Sequence, residues 1–242
     1  MTRIGILETG APPAALQPTF GRYPDMMQAL LAAQGDFSFT TFRVAEGDQP
    51  ANLGAADAWL VTGSPHGVYE DHDWLAPFFD LLRAIRAARQ PMVGICFGHQ
   101  ALAQAFGGEV RKSDKGWGIG PHQYRIVEKT DWMTPIAGFI TLAASHQDQI
   151  AQIPDGALLF ASNAHCQFAG LDYGAGIVSF QGHPEFTAPY AQALLRARAG
   201  GVIPADEAMQ AHDLYGDQRL DADLAATWIA GLVQNNAEFA RD

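Results

Sequence analysis

Hydrophobic positions in this chain come in two textures that take turns along its first hundred residues. Residues 3–7, 56–61 and 91–95 are short apolar runs, the form of strands buried on both faces of a parallel sheet. Between them the apolar residues recur every three or four positions. Met26, Met27, Leu30 and Leu31 mark a helix over 23–34, with Pro24 in its first turn and Gly35 past its end. Leu75, Phe78, Phe79, Leu82 and Ile85 mark a second, over 73–89, with Asp73 expected as its cap. Ala101, Leu102, Ala105 and Phe106 mark a third, over 98–106, stopped by Gly107-Gly108. Residues 37–44 alternate as a strand does. Strands separated by helices predict an α/β fold with a parallel sheet.

After residue 107 the texture changes. Residues 108–111, 120–127 and 139–145, then 157–162 and 166–170, read as short strands joined by turns, which predicts an antiparallel extension of the sheet. One more buried strand, 176–181, follows. Helical patterns return over 189–198 and 220–239 with a shorter one between, as covering helices or as a cap; the pattern allows either. Two irregular segments stand out: the loop 8–22, with three prolines, in the place of a site lid or a plain surface loop, and the turn 115–120, where three glycines surround Trp117.

Composition narrows the functions. The 242 residues are enough for one well-buried domain, and 15 basic against 26 acidic residues give a net charge of −11. That balance excludes nucleic acid and anionic membrane surfaces as expected partners. No apolar stretch approaches the roughly 20 residues that span a bilayer. The two cysteines, Cys96 and Cys166, form no CxxC pair, and no secretory-type amino terminus is visible, so a cytoplasmic location is expected. No HExxH, HxH or paired-cysteine spacing occurs, so neither metal nor cofactor is expected.

The candidate chemistry centres on Gly94-Ile95-Cys96-Phe97-Gly98-His99-Gln100, where a buried strand runs through a cysteine between glycines into a helix. Such a turn holds a side chain at the carboxyl end of the sheet, where open α/β folds bind ligands. The helix amino terminus favours an anion at the sulfur, and the Phe97 N–H is aimed where a carbonyl oxygen would become an oxyanion. Thr62-Gly63-Ser64-Pro65, after the preceding strand, offers a second donor. A nucleophilic cysteine needs an imidazole, itself held by another group. Two pairs have the form strand, His, any residue, acid: His146 with Asp148 and His183 with Glu185. Spacing leaves both open, with a modest preference for the second because Pro184 stiffens it.

Taken in order, the nucleophile stretch, Thr-Gly-Ser-Pro, Ser-His-Gln-Asp at 145–148 and Gln-Gly-His-Pro-Glu at 181–185 resemble the class I glutamine amidotransferases. The likeness is to the stand-alone branch similar to the glutaminase domain of guanosine monophosphate synthetase and to the plant γ-glutamyl peptidases. It is strongest over residues 56–188, leaving 189–242 as a helical extension of a single domain. The resemblance implies a flavodoxin-like sheet. It also implies a triad of Cys96, His183 and Glu185, an oxyanion hole at Gly63 and Phe97, and substrate contacts from Gln100, Gly116, Trp117 and Gly118. The implied reaction is hydrolysis of glutamine or another γ-glutamyl compound through a thioester, with ammonia passed to a separate synthase or with a γ-glutamyl peptide as the substrate. A non-catalytic glutamine-sensing subunit is the rival of another class.

Overall fold

The computed structural model describes residues 1–239. The chain begins with strand β1 (Thr2–Leu7), a short helix α1 (Gln17–Phe20), helix α2 (Tyr23–Leu31) and strand β2 (Phe37–Phe42). Strand β3 (Ala58–Val61), helix α3 (Leu75–Ala87), strand β4 (Met92–Ile95) and helix α4 (Phe97–Ala105) follow. Then come seven strands: β5 (Glu109–Lys112), β6 (Gly118–Ile126), β7 (Phe139–His146), β8 (Asp148–Gln152), β9 (Leu158–Ser162), β10 (Gly170–Asp172) and β11 (Ile177–Phe180). Helices α5 (Ala188–Arg198), α6 (Ala205–Leu214) and α7 (Ala222–Phe239) close the chain.

Nine strands form one sheet in the order β2-β1-β3-β4-β11-β10-β9-β6-β7. The first five are mutually parallel, in the flavodoxin-like arrangement, and the remaining pairings are antiparallel. β5 and β8 make a separate two-stranded antiparallel sheet. Alternation along the buried strands divides the core. Ile4, Ile6, Leu60, Val93 and Ile95 face α2 and α7, while Trp59, Val61 and Met92 face α3 and α4. Each such side chain, taken fully out of water, contributes about 1.5–3 kcal/mol before entropy is counted. Trp228, Ile229, Leu232 and Val233 bring α7 into the first of these cores, so the last helix is a covering helix of the main sheet. α5, through Tyr190 and Leu194, and α6 instead join Tyr23 and Phe186 in a third cluster.

This topology decides where the site lies. β4 sits between β3 and β11 with Gly94 level with Val61 and Ile95 level with Phe180. The three strands therefore end together, and the segments that follow them, at Gly63, Cys96 and His183, meet at one edge.

Four local expectations need correction. Asp73 is not the cap of α3: Trp74 occupies that position with no side-chain cap bond. Trp74 packs against Phe78 and Phe97 at centroid distances of 5.7 and 5.8 Å, and that burial outweighs a cap worth about 1 kcal/mol. Residues 166–169 are a turn, not a strand, because Asn163 Oδ1 accepts the N–H groups of His165 and Cys166 and so bends the chain. β6 begins at Gly118, two residues earlier than the glycine texture suggests, and β8 forms where no strand is predicted. The loop 8–22, read from the sequence as either a lid or a plain surface loop, carries α1 and lends no residue to the main cavity; Tyr23, just beyond it, does.

Candidate active site

Cys96 stands between β4 and α4 with φ of 53°, a left-handed conformation that costs an L-residue energy and is kept where the surroundings enforce it. Its N–H donates to the Phe180 carbonyl at 2.8 Å. The glycines beside it are there for space. A Cβ on Gly94 would lie 2.6 Å from the Gly98 carbonyl oxygen, and one on Gly98 would lie 2.6 Å from that of Val61. Phe97 is the first residue of α4, so its N–H has no partner inside the helix.

His183 enters from β11. Its backbone N–H donates to Ala143 at 2.8 Å, and its Nδ1 donates to Glu185 Oε1 at 2.7 Å, which leaves Nε2 for the sulfur. Both side chains are buried, His183 at 4% exposure and Glu185 at 0%. Phe186 lies flat on the imidazole at 3.8 Å and 9°, a favourable face for a cation. Burial opposes charge on His183, but the Glu185 carboxylate and the Cys96 sulfur together exceed it and raise the imidazole to about 10. It is therefore an imidazolium at neutral pH. Cys166 differs in kind: burial pushes its thiol up to about 12, which suits packing rather than nucleophilic attack.

The turn after β3 completes the constellation. Gly63 is close enough that a Cβ there would be 3.0 Å from His183 Cε1. The Thr9 hydroxyl lies 3.0 Å from the Thr62 carbonyl oxygen and 3.2 Å from that of Gly63, and the Thr62 hydroxyl adds a contact of 3.1 Å to the latter. With both carbonyls turned toward the threonines, the trans peptides aim the Gly63 and Ser64 N–H groups the other way.

A cavity of about 360 Å³ opens over Cys96. Of the expected substrate contacts, Gln100 and Trp117 line it; Gly116 and Gly118 do not. Gln100 Nε2 donates to the Asp148 carbonyl at 2.8 Å and to Gln181 Oε1 at 3.2 Å. Gly118 faces His146 and His165 instead, so the site draws on the side chain of this turn more than on its glycines. His146 lines the cavity, yet its Nδ1 donates to the Asp148 carbonyl at 3.1 Å and burial holds it well below the usual imidazole range. Asp148 turns its carboxylate to the Tyr69 hydroxyl at 2.9 Å, so His146 and Asp148 do not form a histidine–carboxylate pair.

Several neighbours carried no separate signal in the sequence. Gln181, inside the Gln-Gly-His-Pro-Glu motif, points Nε2 at Cys96 Sγ from 3.6 Å. Arg198 reaches the cavity from α5 and donates to the Ser145 hydroxyl at 3.0 Å; Leu194 and Val202 flank it. His99 is fully buried, with Ser179 Oγ at 2.7 Å and the Phe168 carbonyl at 2.8 Å, and burial lowers it to about 3.

The structure thus places a cysteine on a strand-to-helix turn beside a carboxylate-held imidazole, at the carboxyl edge of a flavodoxin-like sheet. Comparison with known proteins gives the family. Residues 28–199 match the glutamine amidotransferase class-I family, and the chain belongs to it. Gamma-glutamyl peptidase 3 of Arabidopsis thaliana is 27% identical over 179 residues, covering 71% of this chain and 72% of that protein. The glutamine-hydrolyzing GMP synthase of Cupriavidus necator is 34% identical over 141 residues, 55% of this chain and 25% of the synthase. Among solved structures, a glutamine amidotransferase from Thermotoga maritima superposes with a TM-score of 0.76 at 18% identity, covering 98% of both chains. At that identity the likeness establishes the fold.

Proposed function

We propose that this protein hydrolyses a γ-glutamyl amide through a γ-glutamyl thioester on Cys96. The observation that carries the reading is the Cys96–His183–Glu185 constellation, with the imidazole buried, braced by a carboxylate at 2.7 Å and favoured in its charged form by that carboxylate. The Cys96 sulfur attacks the γ-carbonyl carbon, whose oxygen takes the charge. The N–H of Phe97 and those of the Gly63–Ser64 turn receive that oxyanion; one good donor is worth about 2.7–4 kcal/mol of barrier. Collapse breaks the C–N bond, and the proton on His183 Nε2 goes to the departing nitrogen. A water then gives its proton back to His183 while attacking the thioester, and glutamate leaves with the sulfur restored. Glu185 keeps Nδ1 protonated and the ring in place throughout. Asp148, whose side chain lines the cavity, suits the ammonium of an amino-acid end.

One observation favours a leaving group larger than ammonia. The cavity over Cys96 is also lined by Trp117, Leu194 and Val202, with the cations Lys112 and Arg198, which suits an amino acid or peptide attached through its amine. Relatives include proteins named γ-glutamyl peptidases as well as a synthase that hydrolyses glutamine. Glutamate release by the purified protein from L-glutamine, glutathione, a glutathione S-conjugate and γ-glutamyl amines, with Cys96→Ala as control, tests this. Release from the larger compounds favours peptidase action; release from glutamine only when a synthase is added favours ammonia delivery. Tight glutamine binding with no turnover under any of these conditions would overturn the proposal in favour of a sensor.

A further inference from the structure

We infer that His66, Glu70 and His72, on the β3–α3 connection, bind a single divalent transition-metal ion of the Zn2+ class at the mouth of the active-site cavity, and that the bound ion obstructs access to Cys96. One ligand atom from each of the three side chains lies within 4.8 Å of the other two. Glu70 Oε2 is 3.4 Å from His66 Nδ1 and 2.8 Å from His72 Nε2, so one carboxylate oxygen faces both imidazoles. The two rings stand edge to face at 4.4 Å. Two imidazoles and a carboxylate are the ligand set of open zinc sites, which keep a fourth position for water or an incoming group.

The spacing, His-x3-Glu-x-His, matches none of the motifs sought in the sequence; the loop makes the site. Tight turns join Glu70 N–H to the Gly67 carbonyl at 3.2 Å and Leu75 N–H to the His72 carbonyl at 3.0 Å. Trp74 lies against both rings, nearly parallel to His72 at 6.2 Å and steeply inclined to His66 at 6.1 Å. Zinc bonds of about 2.0–2.2 Å in a tetrahedron set the donors roughly 3.3–3.6 Å apart. The pair at 3.4 Å already fits, the pair at 2.8 Å opens slightly, and the two imidazole donors, within 4.8 Å of each other, close the remainder. Side chains 33–44% exposed have the freedom to do so. An ion pair explains Glu70 beside one imidazole, but not a second imidazole brought to the same oxygen.

The consequence for activity follows from position and rests on the hydrolase reading above. His66 and Glu70 line the cavity that holds Cys96, whereas His72 lies outside it. An ion held there occupies part of the same cavity and narrows the approach to Cys96.

Calorimetric titration with Zn2+ tests the site itself. The Cys96→Ser protein is used, so that no thiolate competes for the ion. One ion per chain is expected, with at least tenfold weaker binding in Cys96→Ser/His72→Ala and Cys96→Ser/Glu70→Gln, since losing a direct ligand costs no less than losing its support. No binding, or binding unchanged by both substitutions, would overturn the site even if the hydrolase reading stands. In the second arm, Zn2+ should slow wild-type turnover reversibly on chelation, and His72→Ala should need at least tenfold more Zn2+ for the same loss. Equal sensitivity of the two would place the inhibiting ion on Cys96 and His183 and overturn the obstruction.

Discussion

Replacing Glu185 by Gln preserves the shape of the proposed catalytic corner and removes its buried negative charge. The carboxylate is 0% exposed and 2.7 Å from His183 Nδ1, and its other oxygen, Oε2, has no hydrogen-bond partner among the described residues. Little else therefore depends on the charge. A hydrogen bond to a charged partner contributes about 1.5–3 kcal/mol, which is about one to two pH units in the His183 titration. In the wild type that titration lies at about 10, raised by Glu185 and Cys96 against burial. The imidazolium persists below that pH and is lost above it, so the alkaline limb of kcat/KM should fall near pH 10 in the wild type and one to two pH units lower in Glu185→Gln. The same energy is lost where neutral His183 takes its proton back from the water that attacks the thioester, so kcat at neutral pH falls by about ten- to a hundredfold. The assay is glutamate release against pH, with alkylation of Cys96 by iodoacetamide over the same range as an independent reading. A variant within threefold of wild type, with its alkaline limb unmoved, would refute the reasoning that Glu185 holds the charge on His183.

His183→Ala should lower kcat on the order of a thousandfold, the scale of lost general acid–base catalysis, while His146→Ala should leave a far larger fraction of activity; steady-state kinetics with one substrate decides the order. Gly98→Ala places a Cβ 2.6 Å from the Val61 carbonyl oxygen and should cost about 1–3 kcal/mol in urea unfolding. Burial holds His99 at about 3 and His122 at about 4, so both stay neutral in the folded state while unfolded histidines protonate below about pH 6.5; stability should fall as pH drops from 6.5 toward 4, measured as the urea midpoint. Arg198→Met should raise KM for γ-glutamyl peptides bearing a free carboxylate and leave KM for γ-glutamyl alkylamides nearly unchanged.

The parallel half of the fold was legible because each strand is an apolar run and each helix an apolar stripe, and because Gly94, Gly98 and the Gly-His-Pro-Glu stretch announce tight turns. The antiparallel half was less so. β8 starts at Asp148, the last residue of the Ser-His-Gln-Asp motif, so its first residue is read as candidate chemistry rather than as strand, and the turn at 166–169 depends on the Asn163 side chain rather than on any apolar pattern. Periodicity could not choose between His146 and His183. That choice depends on where β7 and β11 end relative to β4 and on which imidazole finds a carboxylate rather than a main-chain carbonyl. Arg198 and the Thr9–Thr62 contacts were invisible for a similar reason: they join segments more than 50 residues apart, and nothing local marks either partner.

The central claim is that Cys96 carries the acyl group. Incubation with diazo-oxo-norleucine followed by peptide mass spectrometry tests it most directly, with residual turnover followed in the same samples. The account predicts one label per chain, on Cys96, appearing in step with loss of activity and absent in Cys96→Ala, while Cys166 stays unmodified. Labelling at Cys166 or elsewhere with equal loss of activity, or undiminished turnover in Cys96→Ala, would contradict it.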